Sequence, residues 1–140
     1  MPQWLLFAII SMIFAGFTSI LGKSGMSKVS ADTALFVRTS IVWIFILLNF
    51  WIGKQPEPIS ALNKKDWLFL GLSGFCTAAS WLFYYRAMKI GQVSMIATID
   101  KGSIVLTILL AYFFLKEPIT PKLMLGAGLI LSGLIVLVWK

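Results

Sequence analysis

VSMIATIDKGSIVLTILLAYFFL, residues Val93 to Leu115, holds 23 residues, of which only Asp100 and Lys101 are charged, and these stand side by side. A helix rises ~1.5 Å per residue, so about 20 residues cross the roughly 30 Å of hydrocarbon in a bilayer. A strand of a membrane barrel would be about half as long and would alternate apolar with polar side chains. Neither applies here, and the stretch reads as a membrane-spanning helix. The same test picks out 4–21, 33–52, 67–85 and 122–139. Five spans follow, at approximately 4–21, 33–52, 67–85, 93–115 and 122–139, and the fold class is all-α: a polytopic membrane bundle of five transmembrane helices.

Composition agrees with that reading. The 140 residues are 59% hydrophobic and 12% charged, and the mean hydropathy of +0.94 lies far outside the range of soluble domains. The spans use most of the chain, so residues 1–140 are expected to form a single membrane domain. The first span is longer than the apolar core of a secretory signal. It has no Lys or Arg ahead of it and no small-x-small cleavage site, which makes it a membrane helix.

Several function classes drop out on composition. The chain has no histidine and one cysteine, Cys76 in mid-span, so the usual metal ligands and the commonest catalytic base are missing and no cofactor is expected. The formal charge of +7 is scattered in ones and twos through the connectors, which points to membrane-flanking charge rather than nucleic acid. GFTSILGKS, Gly16 to Ser24, imitates a phosphate-cradling loop but has five residues between its glycines where that loop has four. Gly22, Lys23 and Ser24 are expected instead to end the first helix, with Lys23 near its negative C-terminal end. Four of the five carboxylates fall at span ends, and no base stands beside a Ser, Thr or Cys in the motifs. The protein is therefore not expected to be an enzyme.

The organisation between spans is sparse. The longest linker, Lys54 to Asp66, contains Pro56 and Pro58 and cannot continue as one helix. Ser11, Ala15 and Ser19, then Gly74 and Ala78, then Gly128 and Ser132 recur every four residues. Such stripes are expected to let helix backbones approach closely. Trp4, Trp51, Trp67 and Trp139 stand at span ends, where amphipathic rings anchor at the membrane interface.

The charge balance between the two faces is unusual. One face collects Lys54, Lys64, Lys65, Lys116 and Lys122, and the other Lys23, Lys28, Arg86, Lys89 and Lys140. Orientation is normally set by a Lys/Arg excess on the cytoplasmic side, and here the flanking charges carry none. Insertion in both orientations is expected. Two oppositely oriented copies of a chain with an odd number of spans are related by a two-fold axis in the membrane plane, the symmetry of many secondary transporters.

WLFYYRAMKIG from Trp81 to Gly91, IDKGSIVLTILLAYFFLKEP from Ile99 to Pro118 and LGAGLILSGLIVLV from Leu125 to Val138 resemble the five-helix repeat of the drug/metabolite transporter superfamily, EamA type. The resemblance covers the chain in helix order and about its last 60 residues in motif. It implies a multi-pass protein of the cell membrane that moves metabolites, amino acids or drug-like compounds, and a homodimer that rebuilds the ten-helix architecture of fused relatives. Many relatives carry a proline just before the acid–base pair, where this chain has Thr98 and Ile99. Any kink in the fourth span therefore falls to Gly102.

The polar residues inside the spans define the expected site. Asp100, Ser103 and Thr107 follow i, i+3, i+7 and share a helix face, as do Arg38 and Asn49, eleven residues apart. Counted from the same membrane face, Asp100 and Arg38 both lie roughly 8–10 Å deep, which makes Arg38 the expected partner of Asp100. Neighbours on a helix point about 100° apart, so Asp100 and Lys101 are expected to look to other helices rather than to each other. Trp81 and Tyr85, one turn apart, add an aromatic wall. Charges inside a bilayer normally pair or face water, so Asp100, Lys101, Ser103, Thr107, Arg38, Asn49, Trp81 and Tyr85 are the expected substrate-binding or coupling residues. The expected partners are lipid, a small-molecule substrate and a second copy of the chain. The rival reading is a non-transporting subunit that packs with a partner chain, or one half of a heterodimeric transporter.

Overall fold

The computed structural model describes residues 2–53 and 59–139. The expectations that rest on Lys54, Pro56, Pro58 and Lys140 lie outside them. Five helical segments are long and apolar enough to cross a membrane, at Gln3–Gly25, Ala31–Ile52, Lys64–Ile90, Val93–Leu115 and Pro121–Val138, and no strand occurs among the described residues. The chain divides into two compact units, Met1–Ile90 and Gly91–Lys140.

The first unit contains α1 (Gln3–Gly25), α2 (Ala31–Ile52) and α3 (Lys64–Ile90). Local chemistry sets each start. Pro2, whose ring fixes its φ, precedes α1, and the Ser30 hydroxyl accepts from the Thr33 amide at 3.1 Å to cap α2. Asn63 and Asp66 form a reciprocal box at the start of α3. Asn63 Oδ1 accepts from the Lys65 and Asp66 amides at 2.9 Å, while Asp66 Oδ2 accepts from the Asn63 amide at 3.1 Å. A single 3-10 turn, Ile59–Ala61, precedes that box.

The second unit contains α4 (Val93–Asp100), α5 (Ser103–Leu110), a π-helical segment Ala111–Leu115, and α6 (Pro121–Val138). The fourth span is thus interrupted at Lys101–Gly102, the place to which any kink is expected to fall. Across the interruption the amides of Lys101, Gly102, Ile104 and Val105 bond to carbonyls three residues back rather than four. The span ends at Lys116, whose φ of 56° is left-handed, and Pro118 forbids its continuation. Thr120 then caps α6 through the Leu123 amide at 3.2 Å, with Pro121 in the first turn.

Very little of the chain is buried: among the described residues only Met26, Ala31, Tyr85 and Met88 fall in the core, all in the first unit. The remaining apolar surface suits lipid, which takes the place of a soluble protein's interior. Trp4, Trp51, Trp67 and Trp139 stand exposed at helix ends, as interface anchors should.

Two packing expectations need correction. Among the described residues no heavy atom lies within 4 Å of where a β-carbon would stand on Gly74 or Gly128, so these stripe glycines seat no neighbouring backbone within their own units. Gly74 and Ala78 instead line an open groove between α2 and α3. The close approach is at Gly22, where an added β-carbon would lie 2.9 Å from the Tyr85 hydroxyl.

Candidate functional site

In the first unit the sequence-predicted residues Arg38, Trp81 and Tyr85 come together. Arg38 is the eighth residue of α2, half-buried, and its Cζ lies 4.3 Å from the Trp81 ring centroid and 5.6 Å from that of Tyr85. Trp81 and Tyr85 face it from α3, one turn apart, so the expected aromatic wall carries a cation. The attraction of a guanidinium to such ring faces is worth about 0.5–2 kcal/mol. It does not use the hydrogen-bond donors, and Arg38 Nη1 is buried without a hydrogen-bond partner, as is the Tyr85 hydroxyl. Both residues line a groove of about 520 Å³ between α1 and α2. Asn49 stands exposed three turns further along α2.

The end of the first unit beyond this groove is tied crosswise. Lys23 of α1 donates to the Met88 carbonyl, and to that of Lys89 at 3.4 Å, at the C-terminal end of α3. Lys89 of α3 donates in return to the carbonyls of Met26 at 2.6 Å and Val29 at 2.8 Å, where α1 turns into α2. Each ammonium thus meets the negative end of a neighbouring helix or turn. α1 ends at Gly25, so Lys23 stands in its last turn as expected, and its ammonium also reaches across to the end of another helix. Arg86 completes the tie with a two-pronged bond to Asp32 in the first turn of α2, Nε–Oδ1 3.1 Å and Nη2–Oδ2 3.3 Å. The Ser19 and Tyr84 hydroxyls meet at 2.8 Å between α1 and α3. Asp32, Tyr84 and the lysine exchange escape a local reading because their partners are 54 to 66 residues away.

In the second unit Lys101, Ser103 and Thr107 line a groove of about 630 Å³ against α6, together with Thr98 and Gly133. The break in the helix explains the hydroxyls. The amide of Ile104 turns to Lys101, so the Asp100 carbonyl loses its usual donor, and the Ser103 hydroxyl supplies one at 2.8 Å. Thr107 donates to the Ser103 carbonyl at 3.0 Å, and Thr98 to that of Ser94 at 2.7 Å. Against the expectation that Asp100 and Lys101 each look to another helix, Lys101 Nζ lies 4.0 Å from Asp100 Oδ2, a loose ion pair whose side chains remain 65% and 44% exposed. Among the described residues no three His, Cys, Asp or Glu side chains gather as metal ligands would.

The comparisons agree with this architecture. The model of the EamA-like transporter family matches residues 2–139. A protein of Sinorhizobium sp named "Uncharacterized transporter in cobO 3'region" is 34% identical over 135 residues, which cover 96% of each chain. No solved structure matches. With five membrane-length helices in order, a broken fourth span and a family match across nearly the whole length, the chain belongs to the EamA-like transporter family.

Proposed function

We propose that this protein moves a small organic solute across the cell membrane by alternating access, as an antiparallel homodimer whose two units act as one membrane domain in each copy. The observation that carries the reading is the exposed Asp100–Lys101 pair at an interruption inside a membrane-spanning segment. A charge facing hydrocarbon costs at least about 2.5 kcal/mol, so such groups face water or another protein surface. Irregular backbone at membrane depth is likewise tolerated where it lines a cavity, and broken helices form the solute and ion sites of secondary transporters. A second copy in the opposite orientation supplies both the cover and the inverted repeat. Lys101, Ser103 and Thr107 then form one wall of the path, and Asp100 is its coupling residue.

Asp100→Asn tests this directly. The variant should insert and melt within a few degrees of the parent, while flux into proteoliposomes, screened over amino acids, cationic drugs and metabolites, should fall at least about tenfold, or ~1.4 kcal/mol in barrier. Normal flux in a stable variant would refute the role of Asp100. Loss of the folded dimer would assign Asp100 to structure.

A further inference from the structure

The first unit holds a site of its own, and we infer that the groove between α1 and α2 seats the carboxylate of an amphipathic organic acid on Arg38 and Tyr85. Two unmet hydrogen-bonding groups belong to residues lining one groove: the buried Nη1 of Arg38 and the hydroxyl of Tyr85, a residue only 3% exposed. Buried polar atoms are nearly always paired, and a charged donor left unmet is the costlier case. Asp32, a carboxylate on the same helix as Arg38, is already held by Arg86. Trp81 and Tyr85 hold the guanidinium by their ring faces, which leaves its in-plane donors for an acceptor. A carboxylate offers two oxygens, enough for the guanidinium and the phenol together.

The rest of the groove says what the acid carries. Leu21, Val37, Ile41 and Val42 make its walls apolar, and Thr18 supplies one hydroxyl. Gly22 admits the Tyr85 hydroxyl against α1, since any side chain there would push it away. A charged head at Arg38 and an apolar tail along α1 and α2 is the ligand that satisfies both ends. This deepens the transport reading by naming a substrate class, and it rests on that reading only for the movement of the ligand, not for its binding.

Hexanoate is the probe, with hexan-1-ol and hexylammonium as the neutral and cationic controls, titrated calorimetrically into the detergent-solubilised protein. Hexanoate should bind saturably and at least about tenfold more tightly than either control. Arg38→Gln should weaken it by about tenfold or more. Tyr85→Phe, which removes a single buried hydroxyl and keeps the ring, should weaken it several-fold with the melting temperature unchanged or raised. Equal binding of hexanoate and hexan-1-ol, or parental affinity in Arg38→Gln, overturns the site. So does the absence of saturable binding, which is the result expected if a carboxylate of the protein, Asp100 included, already answers Arg38. Flux separates the two readings. Hexanoate binding without flux of any solute supports the site and defeats transport, whereas flux of other solutes without hexanoate binding defeats the site and leaves transport standing.

Discussion

Gly22 is the residue at which geometry is least forgiving, because the 2.9 Å between its hypothetical β-carbon and the Tyr85 hydroxyl leaves no space for a methyl group. Tyr85 is buried, and the equally buried Met88 reaches within 3.7 Å of the same point, so the ring has little room to swing aside. Gly22→Ala should therefore cost about 1–3 kcal/mol, the range for overpacking a filled site. Adding Tyr85→Phe to it should recover most of that loss, because the clashing atom is the hydroxyl oxygen. Melting curves of the two single variants and the double variant check this, and strict additivity would place the strain elsewhere. The sequence pairs Gly22 with no one. Its neighbour is 63 residues away, and a glycine next to Lys23 and Ser24 reads locally as a helix ending.

At the scale of elements, the fourth span is the segment where local hydrogen bonding and overall hydropathy disagree. Its composition demands one helix from Val93 to Leu115, yet its backbone tightens at Lys101–Gly102 and widens into π-helix at Ala111–Leu115. Ser103 holds the break together by serving the Asp100 carbonyl, so Ser103→Ala should lose about 0.5–1.5 kcal/mol and Ser103→Thr should lose less. Hydrogen–deuterium exchange followed across 101–105 should rise in the alanine variant, while exchange in α1 and α2 stays fixed; no change there would mean the break holds without the hydroxyl. The spans themselves were legible because apolar runs of membrane length have no other explanation, and the site of the break was legible from Gly102. The meeting of Arg38 with Trp81 and Tyr85 was half legible: the aromatic pair follows from one-turn spacing, but the cation above it comes from another helix. The exchange between Lys23 and Lys89 was not legible at all, since a lysine at a helix end signals its own C-terminus equally well.

For the whole molecule, the question is which way it lies in the membrane. The flanking charges divide five to five, and Lys23, Arg86 and Lys89 are each tied to carbonyls or to Asp32. Reporters for both sides of the membrane, fused to the C terminus, should each give signal, and three lysines added to one face should bias orientation and lower flux. Confinement of the native C terminus to one side would refute the antiparallel dimer. The junction between the units is only Gly91 and Gln92, lying between the last residue of α3 and the first of α4. Chains emerge from the ribosome in order, so the lysine ties of the first three helices can close while the last two spans are still being made. Two residues are too few to carry α4 back across a bilayer, so the later spans inherit whichever side the earlier ones ended on. The three lysines should consequently turn the population more completely when placed at 59–63 than at 117–120. On the proposed dual topology, the side each copy faces is then set during synthesis, with residues 91–140 still unmade.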